Sequence, residues 1–181
     1  PVELQARHRR GEGPDQRIER VPLPDVATAV EKYPQFILLG EPGAGKTTVL
    51  QKAALDAAQA CLEDPAAPIP LFVRLSGQQM DEAPVEFLSR RWKARLGTDF
   101  RPALRAGRVF LLLDALNEIP RANYDRRVAA WRTFARDWDG VRMVFSCRTL
   151  DYAQPLSIQQ VEISRLDDDR VRAFLDHYIP E

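Results

Sequence analysis

The residues of this chain best suited to chemistry form a glycine-rich stretch directly after the apolar run at residues 36–39. The stretch consists of Gly40, Glu41, Pro42, Gly43, Ala44, Gly45, Lys46, Thr47 and Thr48. It fits the phosphate-binding pattern G-x-x-x-x-G-K-[ST], in which glycines let successive backbone N–H groups point at phosphate oxygens. Lys46 would reach the β- and γ-phosphates, and Thr47 would offer its hydroxyl to Mg²⁺. The stretch therefore predicts a site for a nucleotide and its magnesium ion.

A carboxylate follows a second apolar run further along the chain. Asp114 comes directly after residues 109–113, and Glu118 lies just beyond it. An acid after an apolar strand is common by itself, but together with the glycine-rich loop it predicts a second magnesium ligand at Asp114. Glu118 is placed to orient or deprotonate an attacking water, or to favour the N-terminal end of a helix dipole.

A third candidate lies where another apolar run, at residues 141–146, gives way to polar residues. Arg148 follows Ser146 and Cys147 at this point. It could donate charge-assisted hydrogen bonds to the γ-phosphate of a bound nucleotide. It could equally pair with Asp151 or point to solvent, so the sequence leaves these alternatives open.

Composition limits the classes of function. The chain has 181 residues, 45% of them hydrophobic, which suits one globular domain, and its 26 basic and 26 acidic residues give no net charge. Direct binding to nucleic acid or to an acidic membrane is therefore disfavoured, and the basic run at residues 7–10 reads as a solvated arm. No signal peptide or membrane-spanning run is visible. Cys61 and Cys147 have no metal or redox spacing, which favours a reducing cytoplasm.

The elements that must position these residues follow from hydrophobic periodicity. Residues 1–31 read as an irregular arm that leads into a short helix near residues 26–32. Apolar strands are predicted at 36–39, 71–75, 108–113, 141–146 and 161–163, and helices at 47–62, 84–96 and 122–138. A last helix is predicted after Asp167, with an apolar face of Val171, Phe174, Leu175, Tyr178 and Ile179. Strands alternating with helices predict an α/β fold with a mostly parallel sheet.

Four segments together resemble a NACHT domain, which belongs to the STAND group of signal-transduction ATPases in the wider AAA+-like class. They are GEPGAGKTT, LLLDALNEI, VFSCRTLDY and SRLDDDRVRAFLDHYI, and the resemblance covers roughly residues 34–179. It implies a three-layer P-loop NTPase fold of the ASCE/AAA+-like type. The central sheet would have five strands in the order 5-1-4-3-2, numbered along the chain. Val2 and Leu4 resemble a short segment that contacts adenine in related bacterial proteins.

The resemblance also implies a function. Such proteins rest with ADP, exchange it for ATP when a sensor domain detects a trigger, and assemble into a ring or wheel that activates a fused effector. In bacteria they are often linked to defence against phage or to programmed cell death. The expected cofactors are ATP or ADP with Mg²⁺, and the chain, which has no initiator methionine, reads as a piece of a larger protein. Helical lid and winged-helix domains are expected beyond residue 181.

One departure from the family pattern bears on catalysis. Asn117 stands where the family has the first of two acids, and an amide can orient water but cannot accept its proton. Hydrolysis is slow or absent if that position supplies the base, and little is lost if Glu118 serves. The alternatives are a turnover AAA+-type ATPase, such as a remodeller or loader, and a small-molecule kinase. A GTPase is disfavoured because no N/T-K-x-D motif follows the fourth strand.

Overall fold

Among the residues that the structure describes, the central sheet has seven strands, with helices on both of its faces. In this computed structural model, which describes residues 3–10, 17–153 and 156–163, the strand order is β2-β1-β7-β3-β6-β5-β4. The strands are β1 (Leu4–Arg10), β2 (Arg17–Leu23), β3 (Gln35–Gly40), β4 (Ile69–Arg74), β5 (Val109–Asp114), β6 (Arg142–Arg148) and β7 (Gln159–Ile163). The helices are α1 (Val26–Lys32), α2 (Lys46–Glu63), α3 (Pro84–Leu96), α4 (Phe100–Arg105) and α5 (Tyr124–Asp137).

The prediction of five strands in the order 5-1-4-3-2 is corrected in the number of strands, because two further strands belong to the described sheet. Strands β7, β3, β6, β5 and β4 are adjacent and parallel, and β1 and β2 extend the sheet beyond β7. Strand β1 is antiparallel to both of its neighbours, β2 and β7, and Leu4 lies opposite Leu23 on one side and Ile163 on the other. The α/β class is as predicted, but the sheet is larger and mixed.

The predicted irregular arm contains two paired antiparallel strands, and Arg7 and His8 of its basic run are partly buried rather than solvated. Leu4 and Ala6 are fully buried, and they pack on the same side as Val161 and Ile163. Arg7 lies 3.7 Å from the Glu162 carboxylate. The prediction was wrong because the burial of Leu4 and Ala6 depends on pairing with β2 on one side and, about 155 residues later, with β7 on the other.

Alternating side chains of the parallel strands enter two separate cores. In β3, Ile37 and Leu39 pack with α3, α4 and α5, whereas Phe36 and Leu38 pack with α1 and α2. All six residues of β5 are buried. Because both faces are covered, the central strands are continuously apolar, as expected for buried parallel strands.

Two helix boundaries show how the sequence sets local structure. Asp25 caps α1 by accepting a hydrogen bond from the Thr28 backbone nitrogen at 2.8 Å. Helix α2 begins at Lys46, directly after Gly45, whose φ is 84°. The helix predicted after Asp167 lies outside the described residues.

Strands β2 and β4 form the two edges of the sheet. Each edge strand contains a proline, Pro22 in β2 and Pro70 in β4. The Arg95 guanidinium donates to the Phe72 carbonyl at the β4 edge. Among the residues that the structure describes, no helix has the length and the hydropathy needed to cross a bilayer.

Candidate nucleotide-binding site

The glycine-rich loop connects the end of β3 to the start of α2. Gly43 and Gly45 have φ values of 78° and 84°, which side chains with a Cβ rarely adopt. A Cβ at either position would meet no atom within 4 Å, so the backbone conformation, not crowding, calls for glycine. The first turn of α2 directly follows, with the Val49 nitrogen donating to the Gly45 carbonyl at 2.9 Å. The loop thus brings a helix N-terminus to the phosphate position.

Lys46 is folded back over the loop. Its Nζ donates to the Gly40 carbonyl at 2.9 Å and to the Glu41 carbonyl at 2.8 Å. Burial, followed by the nearby charge of Arg148, lowers the pKa of Lys46 below its usual 10.5. An ammonium held by neutral carbonyls gains stronger, charge-assisted bonds when phosphate oxygens replace them.

Asp114 is the centre of a buried polar network, although it ends an apolar strand. It is 2% exposed, and the Thr47 hydroxyl donates to its carboxylate, with Oγ1 lying 3.0 Å from Oδ2. The Ser146 hydroxyl donates to Oδ1 at 2.6 Å and accepts from the Ala115 nitrogen at 2.8 Å. Helix α2 and strands β5 and β6 each supply one of these side chains. We call Thr47, Asp114 and Ser146 the buried end of the site.

The buried end has the donor set that Mg²⁺ prefers. A carboxylate and a hydroxyl are hard oxygen ligands, and Mg²⁺ in nucleotide sites takes one or two such groups together with phosphates and water. Within the described residues, no cluster of three or more His, Cys, Asp or Glu side chains could hold a metal by itself. Thr47 and Asp114, predicted as metal ligands, therefore fit a metal that arrives with a nucleotide.

Asn117, Glu118 and Arg148 lie on a more open side, which we call the exposed end of the site. The Arg148 nitrogen donates to Asn117 Oδ1 at 3.3 Å, so the loop after β5 contacts the end of β6. The Arg148 side chain is 51% exposed, with Nη1 lying 4.0 Å from Asp151 Oδ2. Glu118 is exposed and ends a short 3₁₀ turn, Leu116–Glu118. Arg148 therefore has the Asp151 contact that the sequence left as an alternative.

Arg74 belongs to the site although the sequence analysis did not assign it a role. It ends β4, pairs in register with Asp114 across the sheet, and places Nε 3.8 Å from Asp114 Oδ2. The position of Arg74 at the end of an apolar strand could have indicated this role, because the carboxyl ends of parallel strands meet at one edge of the sheet. That signal was weak because an arginine at a strand end is common.

A cavity of about 680 Å³ lies between α1 and α2 and reaches the loop end of the site. Of the residues predicted to contact the nucleotide, Leu4 and Thr48 line this cavity. Val26 and Val30 of α1 and Ala53 of α2 give it an apolar wall. Its volume lies in the ordinary range for small-molecule sites. Val2, the other predicted adenine contact, lies outside the described residues.

A phosphate loop after β3, a carboxylate at the end of the buried strand β5, which β6 separates from β3, and a largely parallel sheet define a P-loop NTPase. The NACHT domain family model matches residues 35–181, so the chain belongs to the NACHT family. NACHT domains are STAND P-loop NTPase domains, which in general bind a nucleotide with Mg²⁺. The resemblance inferred from the four sequence segments is thereby confirmed.

Solved structures of similar fold include a chain of the E. coli MS115-1 HORMA:CdnC:Trip13 complex. That chain has a TM-score of 0.53 and 16% identity, with 87% of this chain and 58% of that chain covered. A KaiC-like protein, PH0186 from Pyrococcus horikoshii OT3, has a TM-score of 0.37 and 16% identity, with coverages of 68% and 65%. This chain thus spans less than two thirds of either one. A search of curated proteins finds no match.

Proposed function

We propose that this chain is the nucleotide-binding core of a signalling switch, which binds ATP or ADP with Mg²⁺ and hydrolyses ATP slowly. The observation that carries the proposal is the buried contact between the loop and the sheet. The Thr47 hydroxyl and the Asp114 carboxylate are already 3.0 Å apart, and the first turn of α2 lies beside them. A metal and a phosphate chain need these groups together, so little rearrangement is required for binding.

In this proposal the loop residues bind the phosphates through Gly43–Gly45 backbone N–H groups and the Lys46 ammonium. Lys46 gives up its bonds to the Gly40 and Glu41 carbonyls and gains phosphate oxygens. Thr47 and Asp114 hold Mg²⁺, which when bound neutralises part of the phosphate charge. Ser146 keeps the Asp114 carboxylate oriented through its 2.6 Å hydrogen bond.

The base of the nucleotide would occupy the end of the cavity lined by Leu4 and Thr48. That end adjoins the first turn of α2, which holds the phosphates in this proposal. The lining of the cavity includes Val26, Val30 and Ala53, and such apolar side chains suit the face of a purine ring. The choice of adenine over guanine remains a prediction from the family resemblance.

Slow hydrolysis would follow from the exposed end of the site. Glu118 is the candidate base, but its side chain is exposed, and an exposed carboxylate has little help in holding a water in line. Asn117 cannot accept a proton, and its amide oxygen contacts the Arg148 backbone. Arg148 would turn from Asp151 to the γ-phosphate when ATP is bound. The bound nucleotide would thus persist and act by favouring one conformation over another.

By analogy with the family, the nucleotide state would control self-association, with fused sensor and effector domains, in bacterial defence or cell death. Both cysteines are free thiols, and the predicted cytoplasmic location stays a prediction. The lid and winged-helix domains expected beyond residue 181 also stay predictions.

The test is to denature the purified chain, identify the released nucleotide by chromatography, and then measure ATP turnover at increasing protein concentration. A switch should release ADP at about one per chain and show slow turnover that is independent of protein concentration. Turnover that rises with concentration would instead indicate a site completed by a neighbouring subunit, as in a turnover ATPase. A chain that releases no nucleotide and binds neither ATP nor ADP on titration would contradict the proposal.

A further inference from the structure

Among the residues that the structure describes, three basic side chains of the site, those of Lys46, Arg74 and Arg148, have different partners. Lys46 binds loop carbonyls, and Arg148 lies 4.0 Å from Asp151. Of the three, Arg74 is the one that forms an ion pair with Asp114, through Nε at 3.8 Å from Oδ2. The carboxylate predicted to hold the metal thus has a cation of the protein beside it.

In this arrangement Arg74 and a metal ion would compete for the Asp114 carboxylate. Thr47 approaches the same carboxylate oxygen, Oδ2, at 3.0 Å. A divalent ion between Thr47 and Asp114 would therefore lie close to the Arg74 guanidinium, and two cations beside one carboxylate repel each other. Either the metal binds weakly, or Arg74 leaves.

The Arg74 side chain is also free to change its position. Its side chain is 62% exposed, whereas that of Asp114 is 3% exposed, so the arginine can move while the carboxylate stays. The guanidinium has five N–H donors, and a planar fork of this kind matches phosphate oxygens. Asp114 keeps its bonds from Ser146 and Thr47 when the arginine departs.

We propose that Arg74 is a movable counter-ion that occupies Asp114 until a triphosphate is bound, and then transfers to the terminal phosphate. The inference rests on the proposed function and deepens it. Metal binding and triphosphate binding become coupled, because the phosphate that draws Arg74 away is the one that ADP lacks. The site would therefore take up a divalent ion readily with ATP and reluctantly with ADP or alone.

The experiment uses Mn²⁺ as a paramagnetic probe of the 181-residue chain. Free and bound Mn²⁺ are measured by electron paramagnetic resonance without nucleotide, with ADP, and with a non-hydrolysable ATP analogue. The wild-type chain should bind Mn²⁺ tightly only with the analogue. Arg74→Gln should bind Mn²⁺ roughly tenfold more tightly without nucleotide and with ADP, and should bind the analogue roughly tenfold more weakly.

Two further variants control for charge and for position. Arg74→Lys keeps a movable cation and should restore most of the wild-type pattern, which a merely structural role would not require. Arg136→Gln removes an exposed arginine that pairs with its neighbour Asp137, and should leave Mn²⁺ binding unchanged. Arg74→Met replaces Arg74→Gln if circular dichroism shows that the glutamine variant is unfolded.

The outcomes separate this inference from the proposed function. If removing the Arg74 charge leaves Mn²⁺ affinity unchanged without nucleotide and with ADP, the counter-ion role is overturned. The same holds if Arg136→Gln gives the same gain, because the effect would then be one of general charge. If the wild-type chain binds no nucleotide, the proposed function itself fails, whereas the measurement with Mn²⁺ alone still tests whether Arg74 competes for Asp114.

Discussion

The two ends of the site differ in how completely the chain builds them. At the buried end, Asp114 is 2% exposed and accepts hydrogen bonds from Thr47 and Ser146. At the exposed end, Arg148 is half exposed and contacts Asn117 only through its backbone, at 3.3 Å. The hydrogen bonds among Thr47, Asp114 and Ser146 are in place before a ligand binds, whereas exposed side chains must be ordered by the ligand. This difference is what the proposal of tight nucleotide binding with slow hydrolysis rests on.

The largest expected effect comes from disabling the exposed end alone. Glu118→Gln should lower ATP hydrolysis by roughly 100-fold or more, because an amide cannot accept a proton from water. Nucleotide affinity should stay unchanged, because the buried end is intact. Phosphate release and the amount of ATP retained on the protein are the measurements. The control is Glu63→Gln, which changes an exposed glutamate at the C-terminus of α2, away from the site. Undiminished hydrolysis would assign the base elsewhere.

The loop lysine tests the phosphate-binding half of the comparison. Lys46→Ala should weaken both ATP and ADP by roughly 100-fold, because it removes a cation that both nucleotides use. Isothermal titration measures the two affinities. Lys93→Ala, an exposed lysine on α3, should bind as the wild type does. Unchanged affinity in Lys46→Ala would refute the assignment of the phosphate loop.

Arg148 should distinguish the two nucleotides. Arg148→Ala should weaken ATP by about tenfold and leave ADP nearly unchanged, because only ATP has the γ-phosphate that this arginine would reach. The same titrations measure the ratio. An equal loss for both nucleotides would mean that Arg148 acts on the loop rather than on the γ-phosphate.

A smaller effect, on stability instead of binding, is expected within the buried end. Ser146→Ala leaves the Asp114 carboxylate and the Ala115 nitrogen each short of a buried partner. The free energy of unfolding should fall by about 1–3 kcal/mol, measured by urea denaturation. Ser89→Ala is the matched control, because that hydroxyl bonds only a carbonyl of its own helix, and it should cost about 0.5 kcal/mol or less. Equal losses of unfolding free energy in the two variants would show that the Ser146 hydrogen bonds contribute no more to stability than an ordinary hydroxyl does.

The smallest effect concerns pH. Because the pKa of Lys46 in the nucleotide-free chain is below 10.5, its ammonium is lost at a lower pH than that of an ordinary lysine. Over the alkaline range, where the terminal phosphate of ADP is fully ionised, ADP affinity should be constant below this lowered pKa and should fall as pH rises past it. Arg148→Ala removes the second cause of the shift, so the fall should move to higher pH. The measurement is the pH midpoint of the loss of ADP affinity, compared between the wild type and Arg148→Ala. The same midpoint in both would show that the charge of Arg148 does not act on Lys46.

What the sequence predicts well is what depends on local spacing. The loop from Gly40 to Thr48, the strand that ends at Asp114 and the strand that ends at Arg148 were each predicted from a few consecutive residues, and the structure has these elements. The proximity of Thr47 and Asp114 followed because parallel strands present their carboxyl ends at one edge. Their roles in binding stay predictions until tested.

What the sequence did not predict depends on long-range pairing. Strand β1 is recognisable only through its neighbours β2 and β7, and Arg74 acquires a partner only because β4 lies beside β5. Ala115 is a further case, with a φ of 63° that its type does not favour. The strained turn places its nitrogen on the Ser146 hydroxyl, a contact that depends on a strand 31 residues away.

The prolines in the two edge strands bear on how copies of this chain can meet. Pro22 and Pro70 lack an N–H group, and each interrupts the row of donors that an edge strand would otherwise offer. At the β4 edge, the Arg95 guanidinium also occupies the Phe72 carbonyl. Open sheet edges are where chains add to one another as extra strands and aggregate. Both edges of the described sheet are thus blunted, which disfavours the addition of a second copy of this chain as an extra strand.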